Sequence, residues 1–168
     1  MSLPEEWLIA DGTPADAAAM VALDERNFAR GDQFSRRLWR TILEEAASGK
    51  MLTLVARYQG GVIGAIVGEF RPRARQLTVW SIAVDEVHRG SGLAQHLMAE
   101  LIRRTPPAYA FVTLDARRDN MRAQRFYERL GFRQEREVRR AYADGTDAIR
   151  YRTSLDELRT VLQQGGGP

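Results

Sequence analysis

The sequence predicts an α/β domain built on a mixed sheet, and three observations carry that prediction. Strand-length apolar segments (Met51–Tyr58, 62–70 and Gln76–Val84) come first and are followed by segments with helical periodicity. The first two of these strands flank Gln59-Gly60-Gly61, a hairpin signal. Through the middle of the chain strands then alternate with helices, between antiparallel pairs, which is the pattern of a mixed sheet with helices packed on it.

Taken in order, 8–10 reads as a short strand closed by Asp11-Gly12. Thr13-Pro14 reads as an N-cap followed by proline at the first helical position, opening an alanine-rich helix to about Phe28. Gly31-Asp32 breaks it, and a second helix is predicted over 35–47, stopping near Ser48-Gly49. After the hairpin, the strand over Gln76–Val84 alternates. Thr78, Trp80, Ile82 and Val84 are expected on one face, and Leu77, Val79, Ser81 and Ala83 on the other. Leu93, Leu97 and Leu101 recur every four residues with Met98 and Ile102 beside them, an amphipathic helix that ends before Pro106-Pro107. A strand follows over 110–115. Ala123, Phe126, Tyr127 and Leu130 then mark a helix stopped by Gly131. Segments 132–138 and 148–153 read as the last strands, around Asp144-Gly145. One domain is expected over 1–164, with a disordered Gly-Gly-Gly-Pro tail at 165–168.

Composition narrows the chemistry. At 168 residues and 44% hydrophobic, the chain can bury one core without disulfide or metal support. It has no cysteine, which removes thiolate nucleophiles, disulfide scaffolds and Cys-ligated metal sites together. His88 and His96 are the only histidines and lie in no ligand cluster, so no metal is expected. Residues 1–10 carry Glu5 and Glu6 and show no leader pattern, and no apolar run is long enough to span a bilayer. A soluble cytoplasmic protein is the expectation. Lys50 is the only lysine among 25 basic residues, leaving 24 arginines, but a net charge of +3 does not by itself imply nucleic-acid binding.

The stretch from Ser81 to Ala94 is the informative one. A strand feeds a loop containing Gly90 and Gly92, which opens directly into the Leu93 helix. Backbone N–H groups of such a loop, with the helix N-terminus behind them, form an anion site that suits a pyrophosphate. Arg89 can add a charge-assisted bond. The loop is not a Walker P-loop, since no Gly-Lys-Ser/Thr triplet exists, and the dinucleotide fingerprint fails because Gln95 stands where glycine is required. Read whole, Arg89-x-x-Gly92-x-Ala94 after an apolar strand resembles the acetyl-CoA loop of the GNAT N-acetyltransferases. The resemblance implies a sheet of six to seven strands with a splayed parallel pair and helices on both faces. It also implies a bulge in the strand before the loop, with the pantetheine arm lying in the gap. Ile82, Ala83 and Val84 would offer it backbone groups, and Arg89, Gly90, Ser91, Gly92, Leu93 and Ala94 would hold the pyrophosphate.

A second run, Asn120-x-x-Ala123-x-x-x-Tyr127-x-x-x-Gly131-Phe132, resembles the family's second motif. By that resemblance Asn120 bonds the cofactor arm, and Tyr127 stands near the thioester sulfur as the proton donor to the leaving thiolate. A plain packing role for Tyr127, one turn on from Ala123, is the alternative. Direct attack needs a neutral amine, and Asp115, polar at the end of an apolar strand, is the candidate to receive its proton. Family members resembling the ribosomal-protein alanine acetyltransferases carry glutamate there, one methylene longer, and a structural role for Asp115 stays open. Glu69 is a weaker base candidate. Of Arg117, Arg118, Arg122, Arg125 and Arg129, read as a solvated face, one or two could meet the cofactor's 3′-phosphate.

For the acceptor, Tyr142-x-x-Gly145-x-x-Ala148, with Asp147 before the alanine, resembles a connection in enzymes that acetylate protein N-termini, making Tyr142 a substrate-side candidate. Phe28 and Phe34 are candidates to line the acceptor pocket, and Trp80 to shape it. The expected acceptor is a protein or peptide N-terminus, with a small amine (polyamine, amino acid or aminoglycoside) as the alternative. A non-catalytic acyl-CoA-binding protein and a basic RNA-binding module are further alternatives. Asn120 and Tyr127 argue against the first, and the lack of an RNP-like aromatic strand argues against the second. A homodimer is what the family resemblance implies; no nucleic-acid or membrane partner is expected.

Overall fold

The computed structural model describes residues 6–165. Seven strands form one sheet in the order β1-β2-β3-β4-β5-β7-β6. Strands β1 (Leu8–Asp11), β2 (Met51–Tyr58), β3 (Gly61–Arg71) and β4 (Gln76–Val84) make an antiparallel meander. Strand β5 (Phe111–Arg117) runs parallel to β4, and β7 (Ala148–Ser154) pairs antiparallel with both β5 and the edge strand β6 (Arg133–Val138). Helices cover both faces. On one, α1 (Ala17–Asn27) and α2 (Arg36–Glu45) close a cluster around Met20, Leu23, Trp39, Ile42 and Val55. On the other, α3 (Leu93–Arg103), α4 (Met121–Arg129) and α5 (Leu155–Gln164) enclose Leu54, Ile66, Leu77, Leu97, Val112 and Leu158. No helix among the described residues is long and apolar enough to cross a membrane.

Local chemistry explains most boundaries. Ser35 caps α2 by accepting the Leu38 N–H at 3.1 Å. The N–H of Thr13 donates to Asp16 at 2.9 Å, and a 3-10 turn at Pro14–Asp16 leads into α1. Gly131, with φ +93°, ends α4 as the positive φ of a helix C′ position requires. The sequence reading missed α5. Its signal was present, since Ser154 followed three residues later by Glu157 is a capping pair, and Ser154 accepts the Glu157 N–H at 3.1 Å. Gly165 caps α5, while the rest of the expected tail and the first five residues of the leader test lie outside the described residues.

One expectation about β4 is corrected. Strict alternation put Thr78, Trp80, Ile82 and Val84 on one face. Instead the β3–β4 register shifts between Val67 and Gly68, whose partners are Ser81 and Val79, so Trp80 is an extra residue. A bulge flips the parity of everything after it. Leu77 and Val79 therefore share the α3 face with Ile82 and Val84, while Ala83 joins the α1–α2 cluster.

Candidate active site

The bulge coincides with a split in the sheet. Strands β4 and β5 pair only from Gln76–Phe111 to Val79–Leu114; beyond Val79 no strand among the described residues adjoins that side of β4. The Asp85 N–H donates to the Ile63 carbonyl of β3 at 2.8 Å. By the alternation of strand backbone, Ala83 also faces β3, and Ile82 and Val84 turn their N–H and C=O groups to the gap. A hollow of about 440 Å³ occupies this gap. Its walls include Ile82 to Val84, the loop residues Arg89, Gly90 and Gly92, Leu93 and Ala94 at the start of α3, and Asn120 and Tyr127 from α4.

The loop is shaped by glycine. Gly90 and Gly92 have φ +77° and +87°, the left-handed region that side chains disfavour, and Gly92 is the N-cap of α3. The first turn of α3 lines the hollow with Leu93, Ala94 and Gln95, the Leu93 N–H donating to Ser91 Oγ at 3.4 Å, and a helix N-terminus there fits a pyrophosphate. Arg89 differs from expectation. Its Nε donates to the Val84 carbonyl and its Nη2 to Asn27 Oδ1, each at 3.0 Å, so the guanidinium ties the loop to α1. Asn27 in turn donates to Asp85 at 2.9 Å, a brace that sequence reading did not find. Of the arginines expected on a solvated face, Arg122 and Arg129 of α4 line the hollow, whereas Arg118, ahead of α4, pairs with Glu137 at 2.7 Å. The Asn120 side chain accepts the Ala123 N–H at 3.1 Å as the cap of α4 and also borders the hollow.

Tyr127 is 7% exposed, packed edge-on against Phe126 and Phe132 and tilted on Tyr151. Burial, and secondarily the nearby Tyr142, push its hydroxyl well above the ordinary tyrosine range. It therefore stays a neutral donor. Both placements hold at once: the ring belongs to the core and the residue borders the gap.

A second hollow, of about 380 Å³, lies over the paired start of β4 and β5. Gln76, Thr78 and Thr113 form a hydrogen-bonded floor, with Gln76 Nε2 donating to the two threonine hydroxyls at 3.0 and 2.9 Å. Phe34, Trp80 and Tyr142 supply aromatic walls. Trp80 donates to Glu69 at 2.8 Å and meets Phe34 edge-on at 6.3 Å. Phe34 is set in place by buried Asp24, which accepts from the Phe34 N–H at 3.0 Å and from Trp39 Nε1 at 2.9 Å. Tyr142 is pushed up to about 12, first by burial and then by Asp115 and Asp32.

Two further expectations change here. Phe28 and Phe34 were both expected on the acceptor side; Phe34 lines the second hollow, but Phe28 lines the first, beside Asn27. Asp115 borders the second hollow as an ion pair, not as an open carboxylate. Arg150, its register partner on β7, donates to its two oxygens at 2.8 and 2.9 Å. Glu69 accepts from Arg71 and Trp80, and Glu135 from Arg152. Arg117, expected on a solvated face, is 20% exposed in its side chain and joins Asp32, Asp119 and Asp144.

Two hollows along β4, one with a glycine-shaped loop and bordered by Tyr127, the other with an aromatic and polar lining that includes Tyr142, suit transfer of a group between two substrates. Comparison with known proteins agrees. The profile of the Acetyltransferase (GNAT) family matches residues 17–132. The chain is 35% identical over 133 residues to the L-2,4-diaminobutyric acid acetyltransferase of Streptomyces coelicolor, covering 74% of this chain and 75% of that protein. It spans 56% and 63% of the length of two other enzymes of that name. It is 38% identical over 71 residues to N-alpha-acetyltransferase 30 of Schizosaccharomyces pombe, covering 42% of this chain and 47% of that one. The ribosomal-protein-S18-alanine N-acetyltransferase of Escherichia coli shares the fold, with a TM-score of 0.77, 23% identity, and coverage of 89% and 94%. The chain belongs to the GNAT family and is an N-acetyltransferase.

Proposed function

We propose that the protein moves the acetyl group of acetyl-CoA onto a primary α-amine, in the first instance the N-terminus of a peptide or protein. The gap beside Ile82 and Val84 and the Gly90–Gly92 cradle fit acetyl-CoA as co-substrate, and the hollow under Phe34, Trp80 and Tyr142 fits the amine. In the reaction the neutral amine nitrogen attacks the thioester carbonyl and forms the new C–N bond. The C–S bond breaks, the amine proton leaves to water, and the departing thiolate is met by the Tyr127 hydroxyl. Burial keeps Tyr127 protonated and so available as a hydrogen-bond donor to the departing thiolate, and it raises the proton affinity of the thiolate in the same direction as that of the phenolate.

The pairing of Asp115, Glu69 and Glu135 with arginines carries the choice of amine. With its carboxylates committed to guanidinium partners, the site favours an acceptor that gives up its proton readily. An α-amine of pKa about 8 is roughly one-tenth neutral at pH 7, against a few parts in ten thousand for a lysine amine of pKa about 10.4. A small diamino acid is the second reading, favoured by the 35% identity to the diaminobutyric acid enzyme. The test is the pH dependence of kcat/KM with an α-amine acceptor. The expected profile climbs with unit slope to the acceptor's own pKa, near 8, and shows no alkaline fall to about pH 10, because Tyr127 remains protonated. A profile that instead saturates with a pKa near 6 to 7, whatever the acceptor, would identify an enzyme base and sink this reading.

A further inference from the structure

We infer that Arg117 is a positioning residue that clasps the acceptor side of the site shut, setting affinity for the amine without touching the cofactor side. The inference rests on the reading that the hollow under Tyr142 seats the acceptor.

Arg117 ends β5 and projects from the same side of the strand as Asp115. Its guanidinium reaches three separate segments. Nη1 donates to Asp32 at 2.7 Å, in the turn between α1 and α2. Nη2 donates to Asp144 at 2.6 Å and Thr146 at 3.0 Å, in the β6–β7 connection. Nε donates to Asp119 at 3.0 Å, on the way into α4. The guanidinium carbon also sits 4.8 Å from the centroid of the Tyr142 ring. A rigid fork with five donors can span these partners at once; a lysine ammonium cannot.

The segments it joins carry the acceptor walls. Phe34 lies two residues beyond Asp32, and Tyr142 is itself on the β6–β7 connection. A second observation places these segments in contact independently of charge. A Cβ added to Gly31 would lie 2.9 Å from Ala143 Cβ, so any side chain there must push the two loops apart.

The cofactor side is held by different atoms of the same residue. The Arg117 backbone carbonyl accepts the Asn120 N–H at 3.0 Å and Gln124 Nε2 at 2.9 Å, which fixes the start of α4. Replacing the side chain leaves those bonds in place.

The experiment compares wild type with Arg117→Gln and Arg117→Lys. It measures steady-state kinetics on the best amine of a panel, calorimetric binding of acetyl-CoA, and amide hydrogen exchange over 142–146. In both variants the acceptor KM is expected to rise about tenfold or more, the scale of losing charge-assisted hydrogen bonds, with kcat changed far less and acetyl-CoA binding intact. Exchange over 142–146 is expected to quicken. An unchanged acceptor KM, or acetyl-CoA affinity lost in parallel with it, would overturn the inference. Should these variants fail to fold, Gly31→Val keeps the ion pairs but separates the loops; a raised acceptor KM supports the clasp, and a wild-type value overturns it. A wild type that acetylates no α-amine would fail the acceptor reading alone. The exchange data then still decide the clasp, unchanged exchange overturning it.

Discussion

The two hollows are made of different material. The hollow beside the end of β4 is built from backbone: a strand edge exposed beyond Val79, glycines at φ +77° and +87°, and the α3 N-terminus. The hollow under Tyr142 is built from side chains that meet across the fold, with the pairs Arg150–Asp115, Arg71–Glu69 and Arg117 with its aspartates around it. A backbone site tolerates almost any neighbour but depends absolutely on its glycines. A side-chain site can be retuned one pair at a time, which is how one family scaffold serves different amines. The relatives of this chain include enzymes named for a diamino acid and for N-alpha acetylation.

The contrast predicts a descending series of effects. A valine at Gly92 forces a β-branched residue to φ +87° and should weaken acetyl-CoA binding by about a hundredfold or more by calorimetry; a loss under threefold would mean the cradle is not backbone-built. Tyr127→Phe keeps the ring packing and removes the donor. Its kcat should fall about a hundredfold while acetyl-CoA binds as before, and an unchanged kcat would return Tyr127 to a packing role. Asp24→Ala strands the Phe34 N–H and the Trp39 Nε1–H, and urea melts should show about 1–3 kcal/mol lost. Asp24→Asn should cost less, since burial already holds that carboxyl above its usual range and an amide keeps an acceptor oxygen. Smallest of all, Asp115→Asn should change kcat/KM by less than about fivefold, the scale of a partly exposed ion pair. A hundredfold loss there would restore Asp115 as the base.

The same division explains what the sequence could reveal. Strand β4 was legible to both its ends, and the loop after it could be read as an anion cradle, because glycines, apolar alternation and a helix start are local signals. Helical spacing marked α4, but Asn120 and Tyr127 were singled out only by the resemblance of their run to the family's second motif. The family resemblance implied a bulge in this strand, but its place at Trp80 left no local trace, since an extra residue in a strand looks like any other until its partner strand is known. Long-range side-chain pairs are worse still. Arg117 and Asp32 are 85 residues apart, Arg89 and Asn27 62, and Arg150 and Asp115 35. With 24 arginines in the chain, nothing in spacing could single these out. Phe28 and Phe34 show the limit at short range: six positions apart in one connection, they line different hollows.

The most direct test of the account offers the protein acetyl-CoA and a short peptide carrying both a free N-terminus and an internal lysine, then locates the acetyl group by fragment mass spectrometry. The account predicts acetylation of the α-amine with the lysine untouched, and loss of that product in Tyr127→Phe. Acetyl on the lysine amine, or equal yield from Tyr127→Phe, would contradict it.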